Sequence, residues 1–267
     1  MDSHFNNYRH ALEFDQRAAK SDIRVQLGVK LIEALHLKGD ESILDLATGT
    51  GRFARPVARH LKGGKIVGLD QALAMLRVAQ EQKEKDPIPG YLQIGGDGES
   101  LPFGNGVFHR AFVAFSLHHF GYPPRMVQET RRILSSKGKI VVLDPVLVEP
   151  QDSLDRSLHE QIHLVFRRSH GENLRFLSAN GIRDLLAQEG FQITRAELHT
   201  FSFDQDGMEG IPTGRHWLEA AEHLQKESVE LKRRFEENYL FYEKQGEKTH
   251  VRGSFGYALV CGDKVNN

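Results

Sequence analysis

Cysteine is almost absent: Cys261 stands alone in 267 residues, which excludes an intrachain disulfide and a cysteine-based zinc ribbon. Neither sign of charge prevails, since 35 basic against 36 acidic side chains leave a formal net charge of −1. A chain that grips nucleic acid or an anionic membrane through phosphates carries a basic excess, so neither partner is expected. No apolar run nears the ~18 residues of a membrane span. The opening MDSHFNNYRHALEF has no apolar signal core, and a cytoplasmic location is the expectation. Repeats, low-complexity tracts and flexible linkers are missing too, so one domain carrying helical insertions is expected.

What is present is an alternation of short apolar runs and helical stretches. Ser21–Leu37 has helical spacing behind a Ser/Asp start signal, followed by the strand SILDL, a glycine turn and the helix RFARPVARHL. Strands then read over Lys65–Asp70, Gly90–Asp97, Arg110–Leu117 and Gly138–Val146, with helices ALAMLRVAQEQKEK and PRMVQETRRIL between them. This predicts an α/β fold with a doubly wound, mostly parallel sheet. Further on come helices at Asp152–Phe166 and Ser178–Gly190, a strand FQITRAELHTFSF and a closing strand SFGYALVCG. Between these strands lies Arg215–Gln245, a long helical segment of one or two helices with an apolar seam through Trp217, Ala221, Leu224, Leu231, Phe235 and Tyr242.

The turn GTGRFA fits the GxGxxA fingerprint of a dinucleotide site, which cradles a pyrophosphate at a helix N-terminus. Asp45, at the end of the strand before it, would repel phosphates there but attract an amino or sulfonium group. Asp70 ends the second strand nineteen positions after Gly51, where a carboxylate accepts from ribose hydroxyls. Asp97, in GGDGESLPF, is placed to accept from an adenine amine. Three acidic strand ends favour a cationic nucleoside without phosphates, such as S-adenosylmethionine, over NAD or NADP.

LDLATGTG, GLDQALAML, GDGESLPF and RRILSSKGKIVVLD, in that order, resemble the motifs of class I S-adenosylmethionine-dependent methyltransferases. The small-molecule group that includes the ubiquinone/menaquinone-biosynthesis enzymes is the nearest in flavour. The resemblance spans about residues 40 to 145 and implies a seven-stranded sheet with an antiparallel last strand. It also implies a methyl acceptor of low molecular weight and S-adenosyl-L-homocysteine as product. Carried over by position, Asp45, Ala47, Thr48, Gly49 and Gly51 would line the methionine end of the cofactor. Asp70 would take the ribose, Gln71 and Met75 would lie near the adenine, Asp97 and Gly98 at its edge, and the Phe115–Ser116 backbone would close the pocket. Ala47 stands where many members have glycine. The implied division is a helical cap over 1–39, a cofactor-binding core over 40–146 and a remainder over 147–267, in which insertions at about 152–168 and 213–245 form a substrate lid.

FSLHHF puts His118 and His119 just after the fourth strand, as candidate bases for an acceptor's proton. HEQIH (His159–His163) matches the zinc-protease pattern HExxH, but His170 falls seven rather than six residues later and no metal is expected. Arg167, Arg168, His170 and Arg175 are candidates for greeting an anionic acceptor; Trp217, Phe235, Tyr239 and Tyr242 read as core or as an aromatic pocket. Relative to the resembling families, the chain lacks the Asp/Asn-Pro-Pro-aromatic turn of adenine methyltransferases, a cysteine placed for cytosine chemistry, a paired-glutamate loop and, with Asp144 alone, a magnesium cluster. LHH also replaces the arginine-asparagine pair typical of the quinone subgroup. The alternatives carried forward are a non-catalytic S-adenosylmethionine-binding protein and an NAD(P)-dependent oxidoreductase.

Overall fold

The computed structural model describes residues 5–19, 22–246 and 248–265. Ser21, which the sequence suggests as a helix start, lies outside them. Two N-terminal helices, α1 (Tyr8–Ala19) and α2 (Asp22–Leu35), precede a β/α alternation. It runs β1 (Ser42–Leu46), α3 (Ala54–Ala58), β2 (Lys65–Asp70), α4 (Leu73–Lys85), β3 (Tyr91–Gly95), β4 (Phe108–Ala114), α5 (Pro123–Ile133) and β5 (Leu134–Val146). Then follow α6 (Ser153–His170), α7 (Ala179–Gln188), β6 (Phe191–Asp206), α8 (Gly214–Glu227), α9 (Val229–Asn238), β7 (Leu240–Gln245) and β8 (Lys248–Lys264).

The strands form one sheet in the order β3-β2-β1-β4-β5-β8-β6. β1 to β5 pair in parallel, and β8 enters antiparallel between β5 and β6. That is the seven-stranded sheet with an antiparallel last strand that the resemblance implies, with an eighth strand added: β7 pairs antiparallel with the first part of β8. Strand alternation sends neighbouring side chains to opposite faces. Ile43, Phe112, Val141 and Leu143 join one buried cluster, with α2, α6 and α8. Leu44, Ala111, Val113 and Val142 join the other, with α5 and α7. Burial on both faces is why these strands read as continuous apolar runs.

Strands β5, β6 and β8 run longer than the sequence reading gave them, and three other boundaries shift as well. The helix after the glycine turn is only Ala54–Ala58. The fourth strand stops at Ala114, and Leu117–His119 turn as a short 3-10 helix. The stretch Arg215–Gln245 breaks twice. Ser228 leaves helical geometry and caps α9, its hydroxyl accepting from the Leu231 N–H at 3.3 Å, and residues after Tyr239 become β7. The supposed helical seam therefore ends at Phe235, and Tyr242 belongs to the sheet.

Candidate active site

The carboxyl ends of β1, β2, β4 and β5 open into a cavity of about 1680 Å³, on the side where ligands bind in open α/β sheets. The turn after β1 winds through left-handed conformations at Ala47 (φ 54°), Gly49 (φ 56°) and Gly51 (φ 74°). Side chains pin this loop. Thr48 donates to Asp45 at 2.6 Å, and the Gly49 N–H donates to Asp70 at 2.7 Å. Gly68 is the residue that lets Thr48 lie across β2, since a Cβ there would press on the threonine side chain.

Ala47, Gly49, Asp70, Gln71, Met75, Phe115 and Ser116 all line the cavity. Asp45, Thr48 and Gly51 are buried behind the turn and do not line it; Asp97 and Gly98 also lie outside the lining. Asp97 is exposed and accepts from the Glu99 N–H, while Gly98 packs on Phe120. Burial pushes the carboxyls of Asp45 and Asp70 up, against the opposing pull of the Thr48 hydroxyl on one and the Ala72 and Gly49 amides on the other.

The loop after β4 is tied down by Asp144, at the end of β5. Its carboxylate accepts from the backbone N–H groups of Leu117 (3.2 Å) and His118 (3.1 Å), and from the His118 ring at Nδ1 (2.9 Å). Burial pushes the His118 imidazole down to about 3 and the Asp144 carboxyl up. His119 sits beside it, ring centroids 4.2 Å apart, and is likewise held neutral by burial. Beyond it the rings of His170 and Phe5 follow at 5.7 and 5.2 Å from His119. Phe176, Trp217, Phe255 and Tyr257 complete the inner wall, whereas the charged lining residues Glu172, Glu209 and Arg215 are exposed.

Of the cationic candidates, His170 alone lines the cavity; Arg167 donates to the Leu174 carbonyl, and Arg168 and Arg175 are exposed. Trp217 lines it, while Phe235 and Tyr239 are core. The HEQIH histidines are used elsewhere: His159 Nε2 meets the Tyr239 hydroxyl, and buried His163 accepts the Phe176 N–H. Among the described residues no group of three or more His, Cys, Asp or Glu is placed to hold a metal ion.

Sequence reasoning missed Arg24. Its guanidinium lies between the rings of Phe14 (5.2 Å) and Phe115 (4.9 Å) on the cavity wall. It makes no ion pair among the described residues, and burial pushes it down to about 10. No local pattern marks it, because α2 carries it as one polar position among several. Asp144 had a visible signal as a third buried acid at a strand end.

A buried carboxylate beside an open glycine turn, and a half-buried cation held between two rings on the same cavity, suit a ligand with hydroxyls, an ammonium and a carboxylate. That is the donor set of S-adenosylmethionine. Residues 44–142 match the family model described as "Methyltransferase domain". A demethylmenaquinone methyltransferase of Thermotoga maritima is 28% identical over 212 residues, covering 70% of this chain and 90% of the relative. A 2-phytyl-1,4-naphtoquinone methyltransferase of Thermosynechococcus vestitus is 32% identical over 114 residues, 42% of this chain and half (50%) of that protein. In fold, a candidate methyltransferase of Bacillus halodurans superposes with a TM-score of 0.71 at 22% identity, over 90% of this chain and 99% of that one. Residues 44–142 thus form a methyltransferase domain, and the fold around it is that of class I S-adenosylmethionine-dependent methyltransferases.

Proposed function

We propose that this enzyme methylates a hydroxylated aromatic ring, with His118 taking the acceptor's proton. The observation that carries the reading is the His118–Asp144 pair at the junction of the glycine-turn end and the ring-lined end of one cavity. Ala47, Gly49, Asp70, Gln71, Met75, Phe115 and Ser116 would hold the cofactor from the cavity wall, and Asp45 and Thr48 would brace the turn from behind. Arg24, a half-buried cation without an acidic partner among the described residues, would meet the cofactor's carboxylate. Asp97 and Gly98 would act on the adenine edge only indirectly, through the loop that follows β3.

Bound there, the cofactor supplies an electrophilic methyl group and leaves as S-adenosyl-L-homocysteine. The residues do the rest. Asp144 accepts from Nδ1 of His118, which fixes the tautomer and leaves Nε2 as the acceptor of an acidic proton. The imidazolium so formed is stabilised by the same carboxylate. His119 has no such orienting partner in the hydrogen-bond network and would shape the acceptor end instead. An inner wall of neutral imidazoles and aromatic rings favours an uncharged planar acceptor, since a charged one would be desolvated against it. The quinone-type names of the relatives agree with that chemistry. The segment from Met208 through α8 would serve as a lid, its N-terminal residues walling the cavity opposite α1.

Thermal shift with S-adenosylmethionine, S-adenosylhomocysteine, NAD and NADP tests the first half of the reading. Stabilisation by the two sulfur ligands alone is expected; a dinucleotide-only response would sink it. A methyl-transfer screen of naphthoquinols, simple phenols and amines tests the second half. Turnover of amines with none of the hydroxyarenes would overturn the acceptor assignment.

A further inference from the structure

Of the buried acids outside the site described above, Asp15 is the one that reaches the glycine turn. Asp15 lies on α1 and is 4% exposed. Its Oδ1 accepts from the Thr50 hydroxyl at 2.8 Å and from Arg52 Nη2 at 2.9 Å, and its Oδ2 accepts from Gln82 at 3.2 Å. Arg52 donates to its carbonyl as well, at 2.6 Å, and Arg55 stands 4.0 Å away. Thr50 and Arg52 flank Gly51, so one carboxylate from a remote helix grips both sides of the glycine turn.

That grip has mechanical consequences. The turn holds three residues in left-handed conformations, and the helix after it has only five residues to stiffen it. Its shape therefore depends on side-chain anchors, and among the described residues Asp15 is the anchor that comes from outside the β/α core, whereas Asp45 and Asp70 belong to β1 and β2 and Ser116 follows β4. At the same time α1 walls both ends of the cavity. Phe14 and Arg17, on either side of the Asp15 that holds the glycine turn, line the cavity. Phe5, just before α1, packs its ring edge-on to His119. The rest of the α1 footing is on α4, where Ala11, Tyr8, Leu12 and Phe14 pack on Ala72, Ala74, Met75 and Val78, Tyr8 donates to Glu81 and Arg77 lies over the Tyr8 ring. None of these contacts reaches the glycine turn.

We propose that Asp15 is a positioning residue that couples the two ends of the site. It locks α1 to the glycine turn when the turn takes its cofactor-binding shape, and the locked helix completes the wall against which the acceptor is seated. This rests on the reading of the two ends given above. The consequence is an order of events: a filled cofactor end favours the docked helix, and the docked helix forms the acceptor end. A ligand that binds one state of an element better shifts it toward that state, and the shift is reciprocal, so weakening the docking weakens the ligand.

The test uses full-length protein, wild type and Asp15→Asn, with S-adenosylhomocysteine as the probe. Affinity is read by calorimetry, and hydrogen exchange is followed peptide by peptide with and without the probe. In the wild type, the probe should slow exchange across residues 8–19 as well as in the glycine turn. In Asp15→Asn it should bind roughly tenfold more weakly, as loss of hydrogen bonds to charged groups implies, and protection of 8–19 should vanish while that of α5 and α7 stays as in the wild type. A merely structural role would lower protection everywhere and leave the cofactor-dependent difference at 8–19 intact. Thr50→Val, which removes one donor and keeps the Asp15–Arg52 pair, should move both readouts the same way by a smaller factor, and decides the matter should Asp15→Asn not fold. Unchanged affinity together with unchanged protection of 8–19 in the foldable variant overturns the coupling. Failure of the wild type to bind the probe is a different result: it strikes the cofactor assignment itself.

Discussion

Nδ1 of His118 lies 2.9 Å from Oδ2 of Asp144, and the same carboxylate holds the backbone N–H of His118 at 3.1 Å. Backbone and ring of one histidine are thus fixed by one acid, which sets the imidazole's tautomer and its direction together. The backbone N–H of its neighbour His119 donates to the Ser116 carbonyl, but among the described residues its ring is held by packing against Phe5, His118 and His170.

From this asymmetry, His118→Ala should lower kcat by about 10²- to 10⁴-fold, the usual worth of a positioned base. His119→Ala should cost less than tenfold, and Asp144→Asn should fall between them, by misdirecting the ring. The pH profile carries a further sign. Burial holds His118 near 3, so its neutral form persists well below the usual imidazole range. The rate should therefore stay flat on its acid side from pH 7.5 to 5.5, where an ordinary histidine base would lose activity below about 6.5. Steady-state kinetics across that range, with the true acceptor, decides between the two.

Arg24 gives a prediction that needs no acceptor. Replacing it with Met keeps the stem packed between Phe14 and Phe115 but removes the half-buried cation between them. Affinity for S-adenosylhomocysteine should drop about tenfold or more, because a charge-assisted hydrogen bond is lost. Affinity for 5′-methylthioadenosine, which has no carboxylate, should hardly change. Calorimetry with both compounds on both proteins separates a carboxylate partner from a general packing role. Equal loss for both would refute the assignment.

The two glycines of the turn should respond differently to alanine. At Gly51 (φ 74°) an added Cβ would overlap the Tyr91 hydroxyl, and at Gly49 (φ 56°) it would meet nothing within 4 Å. Gly49→Ala therefore carries only backbone strain, about 1 kcal/mol, and Ala47 already tolerates that conformation in this chain. Gly51→Ala adds overpacking, for a further cost of about 1–3 kcal/mol. Denaturant midpoints should rank wild type above Gly49→Ala and that above Gly51→Ala. Reversal of the two variants would mean that Tyr91 yields easily.

The β/α core was legible because strands buried on both faces write long apolar runs, and because the acids at strand ends stand out against them. Asp45 and Asp70 were visible for that reason. What local pattern could not carry was distance in sequence. Asp15 meets Thr50 from 35 positions away, and Arg24 gains its meaning only when Phe115 lies over it. Periodicity also failed where helix and strand share an apolar spacing. The residues after Tyr239 continued a helical seam on paper, yet pair with β8 because that strand offered an open edge beyond the end of β5. Asp97 was read as facing adenine on motif position, but its carboxylate closes a local turn on Glu99 instead.

His163, one half of the zinc-like HEQIH pattern, makes the last prediction. It is 3% exposed, and its Nε2 accepts the Phe176 N–H at 3.1 Å, so the ring is neutral. Burial, with help from Arg167, pushes it down to about 4. The unfolded chain titrates near 6.5 and so binds more protons than the native state between pH 6.5 and 4. Stability owed to this neutral ring is complete above pH 6.5 and declines as pH falls through that window. Gln at this position can still accept from Phe176 and does not titrate. Wild type should accordingly lose about 2 kcal/mol more than His163→Gln between pH 7 and 5, whatever the other acids and histidines contribute, since those are common to both proteins. Urea unfolding at the two pH values measures it. Parallel losses in the two proteins would show that the buried ring is already protonated in the native state, and the neutral acceptor at Phe176 would have to be given up.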